Sequence, residues 1–299
     1  MRPSTFSNLR RAVLFFSAAL VLACEPEVET PSLPELDLTG VLPAVEEQIK
    51  LYLERVEANP KNAGANGRLG MVLDAYSQLD VAVILYTRAR AFDPDEFSWS
   101  YYLGSALSKL GDHENAEDAY RRAVELDPEN PHALLGLADI LLVTGNVVES
   151  RAMYEGILRK YPQRADAHFG YAKLLEHENK PDEAIQEYRR ALSLNGPFGK
   201  GFFALASTHR FVGDTIKSDE LLALYDKYKN VPLKSDDPLA KKIENLRIDD
   251  RRYVTDARRF AKLGRYREAI DALGQALEKN PDNPDIHTLF IQYYSELGE

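Results

Sequence analysis

Between Ala63 and about Tyr228, apolar and polar positions follow a helical rhythm, and that rhythm repeats as a block. The stretch SWSYYLGSALSKLG is amphipathic at helical spacing and predicts a first helix. Gly111 closes it, because a residue without a Cβ takes the left-handed cap conformation without strain. DHENAEDAYRRAVELDP predicts a second helix, ended by Pro128, which cannot continue a helix and pushes Asp127 out of helical geometry. The block then returns. Pro60, Pro94, Pro128 and Pro162 stand 34 residues apart, and Gly196 takes the next place. Tyr86, Tyr120, Tyr154 and Tyr188 keep the same interval, as do Gly111, Gly145 and Gly213 with Asn179 between them. A fixed period of this length marks a repeat architecture.

Small residues recur where the two helices of a block must cross. First helices carry Gly70, Gly104, Ala138, Ala172 and Ala206, each after a bulky residue. Second helices offer Ala82, Ala116, Ser150, Ala184 and Ser218, and a large side chain at any of them would cost about 1–3 kcal/mol through overpacking. With NAEDAYRRAVELDPENPHALLGLADIL as its fullest statement, the pattern resembles the tetratricopeptide repeat family. That resemblance implies an all-α fold, a right-handed superhelical solenoid of antiparallel helix pairs whose first helices line a concave face. Pro43 to Ala58 has the spacing of a second helix without its partner and is expected to cap the array, so that 43–228 hold the cap and five repeats. A sixth repeat, with LGRYREAIDALGQALEKNP, and the first helix of a seventh fill 250–299. Between them 229–249 breaks the period, and the register resumes 17 residues late. Asp237 before Pro238 starts a short extra helix there, so an insertion that bends or interrupts the superhelix is expected. Phe290, Tyr293 and Tyr294 are apolar for an outermost surface, and the sequence is expected to be a fragment of a longer protein.

Residues 1–23 have the three parts of a secretory signal: Arg2, Arg10 and Arg11, then the apolar Ala12 to Leu22, then Ala23. The apolar part is too short to span a bilayer comfortably. Val21-Leu22-Ala23-Cys24 resembles a bacterial lipobox, although Leu22 is bulkier than the usual residue at its place. The resemblance implies cleavage before Cys24 and a lipid on its sulfur, and two or three acyl chains anchor firmly where one is marginal. A plain secretion signal with an incidental cysteine is the alternative. Glu25, where an aspartate would suggest inner-membrane retention, points to the periplasmic face of the outer membrane. Residues 24–42, acidic and broken by Pro26, Pro31 and Pro34, are expected to form a disordered tether.

Charge and composition narrow the chemistry. The 299-residue chain has a net charge of -10, which argues against nucleic acid as a general partner. Its single cysteine permits no internal disulfide. The six histidines lack metal-ligand spacing and no GxSxG elbow occurs. NGPFGKG lacks the Ser or Thr and the preceding strand of a phosphate loop, so its glycines are assigned to the inter-repeat turn. No catalytic residue, metal or cofactor is expected, and the chain does not read as an enzyme.

What remains is the concave face. Turn by turn, the first helices place there Tyr101, Ser105 and Lys109, then Leu135, Asp139 and Leu142, then Phe169, Lys173 and His177, then Phe203, Ser207 and Arg210, and lastly Arg251, Arg258 and Lys262. Aromatics with scattered polar groups suit an extended peptide or an amphipathic helix as the partner. The alternative, that Phe169 and Phe203 pack mainly on neighbouring helices, stays open. The family's carboxylate clamp is absent, since Gly67, Met71, Lys200 and Ala204 stand at its places. From Lys241 to Arg267 the chain is basic, and Arg251, Arg258 and Lys262, approached by Lys200 and Arg210, would focus a positive potential toward an anionic partner. Two roles follow: a protein-interaction scaffold of the cell envelope, or an N-terminal recruitment arm for a catalytic or transport domain beyond Glu299.

Overall fold

The computed structural model describes residues 30–281 and 283–298, so Cys24 and the leader lie outside the described residues. The described residues form helices and no strand. A first helix, α1 (Pro43–Ala58), precedes five pairs. These are α2 (Ala63–Ala75) with α3 (Leu79–Phe92), α4 (Phe97–Leu110) with α5 (His113–Leu126), and α6 (Pro131–Val143) with α7 (Val147–Lys160). The fourth and fifth are α8 (Ala165–His177) with α9 (Pro181–Asn195), and α10 (Gly199–Phe211) with α11 (Thr215–Tyr228). A short α12 (Pro238–Glu244) lies in the insertion, and α13 (Arg251–Lys262), α14 (Tyr266–Lys279) and α15 (Pro284–Leu297) follow it. None of these helices is long and apolar enough to cross a membrane.

One turn, repeated, sets the angle of every pair. Ser77, Gly111, Gly145, Asn179 and Gly213 all have left-handed backbone, with φ of 64°, 82°, 86°, 59° and 88°. The next amide then reaches back five residues, from Gln78 to the Leu73 carbonyl at 2.9 Å and from Asn146 to Leu141 at 2.8 Å. This bond satisfies a carbonyl that the end of the helix would otherwise leave open. Ser77 holds the position in the first pair without being Gly or Asn, which is why the glycine series begins one repeat late.

The tyrosine series explains the small residues. A Cβ on Gly104 would lie 2.9 Å from the Tyr120 ring, and one on Gly136 of the next pair would lie 2.5 Å from the same ring. Tyr120 therefore fills the space left by a glycine on its own first helix and on the one after, whereas Tyr86, set against Gly70, meets the Tyr102 ring of the next first helix at 5.5 Å. The hydroxyls also find partners: Tyr154 donates to Asp139 at 2.7 Å and Tyr188 to Glu176 at 2.6 Å. Burial with these carboxylates pushes both phenols far up, so they remain donors.

One expectation is corrected, and the interruption expected at the insertion takes a definite form. Residues 30–42 contain no helix and turn at Thr39–Gly40, but they are not a free tether. Leu33, Leu36, Leu38, Val41 and Leu42 pack on the first core, and Arg88 donates to the Pro31 carbonyl. The prolines disfavour a helix there, yet the leucines carry enough apolar surface to dock the segment. The sixth pair, moreover, does not continue the stack. α13, α14 and α15 share a core of their own around Ala257, Leu273 and Ile286, and α11 makes no packing with α13 comparable to that between successive pairs. The interruption expected at the insertion is a change of direction, because the insertion runs back across the concave face.

Candidate binding groove

The first helices present matching positions to the concave face, and their exposure changes along it. Tyr101 and Leu135 are each 8% exposed, whereas Phe203, two repeats on from Leu135, is 52% exposed. Phe169 between them is half-buried against Tyr188 and Phe198, with ring centroids 5.4 and 5.6 Å away. Phe203 rests on Tyr225 at 5.4 Å and still shows much of its ring to solvent. The groove is thus closed at its first repeats and open at its last.

The insertion is what closes it. The Val231 carbonyl accepts from the Gly199 amide at 3.0 Å, and the Lys234 amide donates to Asn195 Oδ1 at 2.8 Å. Asp236 lies by Arg164 and His132, 3.1 and 3.5 Å away. Asp237 accepts from the Tyr101 hydroxyl at 2.5 Å, and Tyr102 donates to the Leu239 carbonyl at 3.4 Å. Ile243 is buried in the first core, joined by Leu239, Leu246 and Ile248. The strap ends at the first repeat. There Gln48 donates to the Leu246 carbonyl at 2.9 Å and Ile248 N–H to the Tyr76 hydroxyl at 3.0 Å. Burial foremost, with Tyr120 and Asp237 nearby, pushes the Tyr101 hydroxyl far up, so it donates at any physiological pH.

Charged groove residues pair mostly within the groove. Lys109 reaches the buried Asp74 at 2.8 Å, and Lys173 lies 3.7 Å from Asp139, each pair joining adjacent first helices. Lys109 is consequently committed to Asp74. Arg210 instead turns to Asp219 of α11 at 3.1 Å, an exposed pair of small energetic consequence.

Arg251 and Arg258 of α13 line a different cleft. Because the sixth pair is not stacked on the fifth, Arg251 and Arg258 face a cleft of about 660 Å³ formed with Leu36, Leu38 and Tyr76 near the start of the array. Neither has an ion-pair partner among the described residues, but Asp37, Asp249, Asp250 and Asp285 border the same cleft. Arg251 and Arg258 thus do not converge with Lys200 and Arg210 as expected. Lys262 has its amine buried without a hydrogen-bond partner, and burial, with Lys229 nearby, lowers its pKa. His132, Asp166 and Asp236 bring ligand atoms within 4.8 Å of one another. The Arg164 guanidinium stands among them, 2.5 Å from Asp166 and 3.3 Å from His132, and supplies the positive charge there.

Trp99 is buried against Gly67, where a Cβ would meet its ring at 2.2 Å, and so belongs to the helix packing. The sequence marks Asp237 as a helix start, as the structure has it, but not as a groove contact, and Leu239, Ile243 and Leu246 were passed over. A signal was present in the spacing of Leu239, Ile243 and Leu246 behind the Asp-Pro start, since it gives α12 one apolar face.

Taken together, the described residues form an all-α solenoid of antiparallel helix pairs with a concave groove on its first helices. The Tetratricopeptide repeat family model matches residues 68–131, 101–163 and 135–199, and a TPR repeat model matches 257–289. These spans cover more than half of the chain, which belongs to the tetratricopeptide repeat proteins. Among relatives, cellulose synthase operon protein C of Pseudomonas fluorescens is 37% identical over 65 residues, 22% of this chain and 5% of that protein. The TPR repeat-containing protein MJ1428 of Methanocaldococcus jannaschii is 27% identical over 186 residues, 62% of this chain and 25% of that protein. The chain therefore spans only a small part of either relative's length. A solved tetratricopeptide repeat protein from Parabacteroides merdae aligns with a TM-score of 0.53 at 18% identity, covering 83% of this chain and 90% of that one. This last likeness speaks to the fold. Proteins built from these repeats serve as interaction scaffolds that bind protein or peptide partners.

Proposed function

We propose that this chain is a protein-interaction scaffold of the bacterial cell envelope, lipid-anchored through Cys24 at the periplasmic face of the outer membrane. It holds a partner segment on the open concave stretch over the fourth and fifth repeats. The exposure of Phe203, one turn before Ser207 on α10, carries this reading. A large aromatic side chain left half in water on a concave face, backed by the Tyr225 ring, has the make-up of an interface centre. Lys173 and the exposed Lys200 favour a partner with anionic groups, although each adds little energy alone. Two measurements test the proposal. Phe203→Ala should weaken capture of the envelope partner by tenfold or more, about 1.4 kcal/mol, without altering the helical circular dichroism. Equal capture by Phe203→Ala and the unaltered chain would exclude this stretch as the site. Cys24→Ser should move the protein from the membrane fraction to the soluble one; an unmodified mature terminus elsewhere would remove the anchor and leave the groove reading standing.

A further inference from the structure

The closed half of the groove, separate from the open stretch just described, already holds a peptide, and that peptide belongs to the chain itself. We propose that the concave face of the first two repeats is a binding site for a short helix begun by an Asp-Pro pair. Residues 234–248 fill it in cis, and a partner segment of the same chemistry takes it in trans by displacing them.

The contacts are those of ligand recognition. Asp237 is 4% exposed, and no cation pairs with it among the described residues. Its carboxylate is held by the Tyr101 hydroxyl at 2.5 Å and by the Leu239 amide at 2.8 Å, which it caps at the start of α12. A buried carboxylate is tolerable only where donors are provided for it, so this spot selects an acid that also begins a helix. Pro238 follows at the first helical position, where its missing amide removes nothing. Other groove groups address the main chain: Tyr102 and Gln48 donate to the Leu239 and Leu246 carbonyls, and Tyr76 accepts from the Ile248 amide. Main-chain bonds supply affinity for any peptide of this shape, while Asp237 and the buried Ile243 supply the selection. The fitting partner thus carries an aspartate, then proline, with aliphatic residues two and six places after the acid.

The strap is also a single layer on a finished surface. Beneath it α2 packs on α3, α3 on α4 and α4 on α5, so the repeats do not depend on it for their pairing. On its outer side Ala240, Lys241, Glu244 and Asn245 face solvent, and the segments 229–237 and 245–250 that flank α12 contain no regular helix. It can leave the groove without unwinding a repeat.

The test uses the full chain with residues 234–248 replaced by a Gly-Ser linker of equal length, and a fluorescent peptide of residues 233–249. Anisotropy should show saturable binding to this variant, and binding about tenfold or more weaker to the unaltered chain, whose own strap competes. Asp237→Asn or Ile243→Asp in the peptide should each weaken binding about tenfold or more, since each leaves a buried group unmatched. A variant with intact helical circular dichroism that fails to bind would overturn the proposal, as would a peptide indifferent to both changes. Dimers of the unaltered chain formed by strap exchange would also overturn it, because the occupant would then be a second copy. Tyr101→Phe in the chain that keeps its strap supplies a check independent of the linker variant. Faster hydrogen exchange confined to residues 237–248 supports a displaceable ligand, whereas faster exchange throughout α2 to α5 would make the strap part of the core.

Discussion

At the scale of single residues, one substitution should have opposite effects at two glycines. Gly136 of α6 and Gly156 of α7 both lie inside helices with ordinary backbone. A methyl group on Gly136 would stand 2.5 Å from the Tyr120 ring, which is itself buried and has little room to retreat. Nothing lies within 4 Å of the same atom on Gly156. Gly136→Ala should accordingly lower stability by about 1–3 kcal/mol through overpacking. Gly156→Ala should raise it by about 0.5–1 kcal/mol, because alanine loses less backbone freedom in a helix. Urea denaturation of the two variants checks both signs. If both were destabilising, the space read around Gly156 would be wrong. The interval of the tyrosines was legible in the sequence, but Gly136 and Gly170 were not, since their partners lie on the preceding pair.

At the scale of elements, legibility follows distance along the chain. Helices, caps and left-handed turns depend on residues within a few places of one another, and the sequence pattern locates four of the five turns, missing only Ser77. The path of the strap does not: Tyr101 and Asp237 are separated by 136 positions, and nothing local announces that they meet. The glycines of NGPFGKG show the same division. Gly196, with φ of 81°, is a turn glycine as expected. Gly199 and Gly201 instead open α10 and are there for space, Gly201 beneath the Phe198 ring and Gly199 against the backbone of Lys229. A Cβ on Gly199 would lie 2.6 Å from the Lys229 Cα and 2.8 Å from the Tyr228 carbonyl oxygen. Backbone cannot step aside as a flexible side chain does, so Gly199→Ala should displace the end of α11 and with it the entry of the strap. Hydrogen exchange should quicken over residues 229–237 and remain slow in α2 to α7. Unchanged exchange at 229–237 would mean that the Gly199 amide, bonded to Val231 at 3.0 Å, does not set where the strap begins.

At the scale of the whole molecule, the strap alters how a solenoid distributes disturbance. Each pair otherwise meets only its neighbours, and stability is close to a sum of local and nearest-neighbour parts. Here a segment leaving the fifth repeat is bonded to the second, the first and α1. The misplacement of the basic run has the same origin. Arg251, Arg258 and Lys262 were assigned to the groove on the assumption that the sixth repeat stacks on the fifth, and the returning strap carries α13 elsewhere. The fourth repeat is the place to test the division, because its core around Ala184, Tyr188 and Leu205 is separate from that of α13 to α15. Ala184 is fully buried, and Ala184→Leu should destabilise that core by about 1–3 kcal/mol. Protection should fall in α8 to α11, where the altered side chain packs, and the fall should extend along the strap from its anchor at Asn195. The cluster of Ala257, Leu273 and Ile286 should keep its protection, having no share in that packing. Hydrogen exchange resolved by peptide separates the cases. Equal loosening of all fifteen described helices would show a single cooperative core, whereas loosening that stops at α11 and spares the strap would show that the strap transmits nothing.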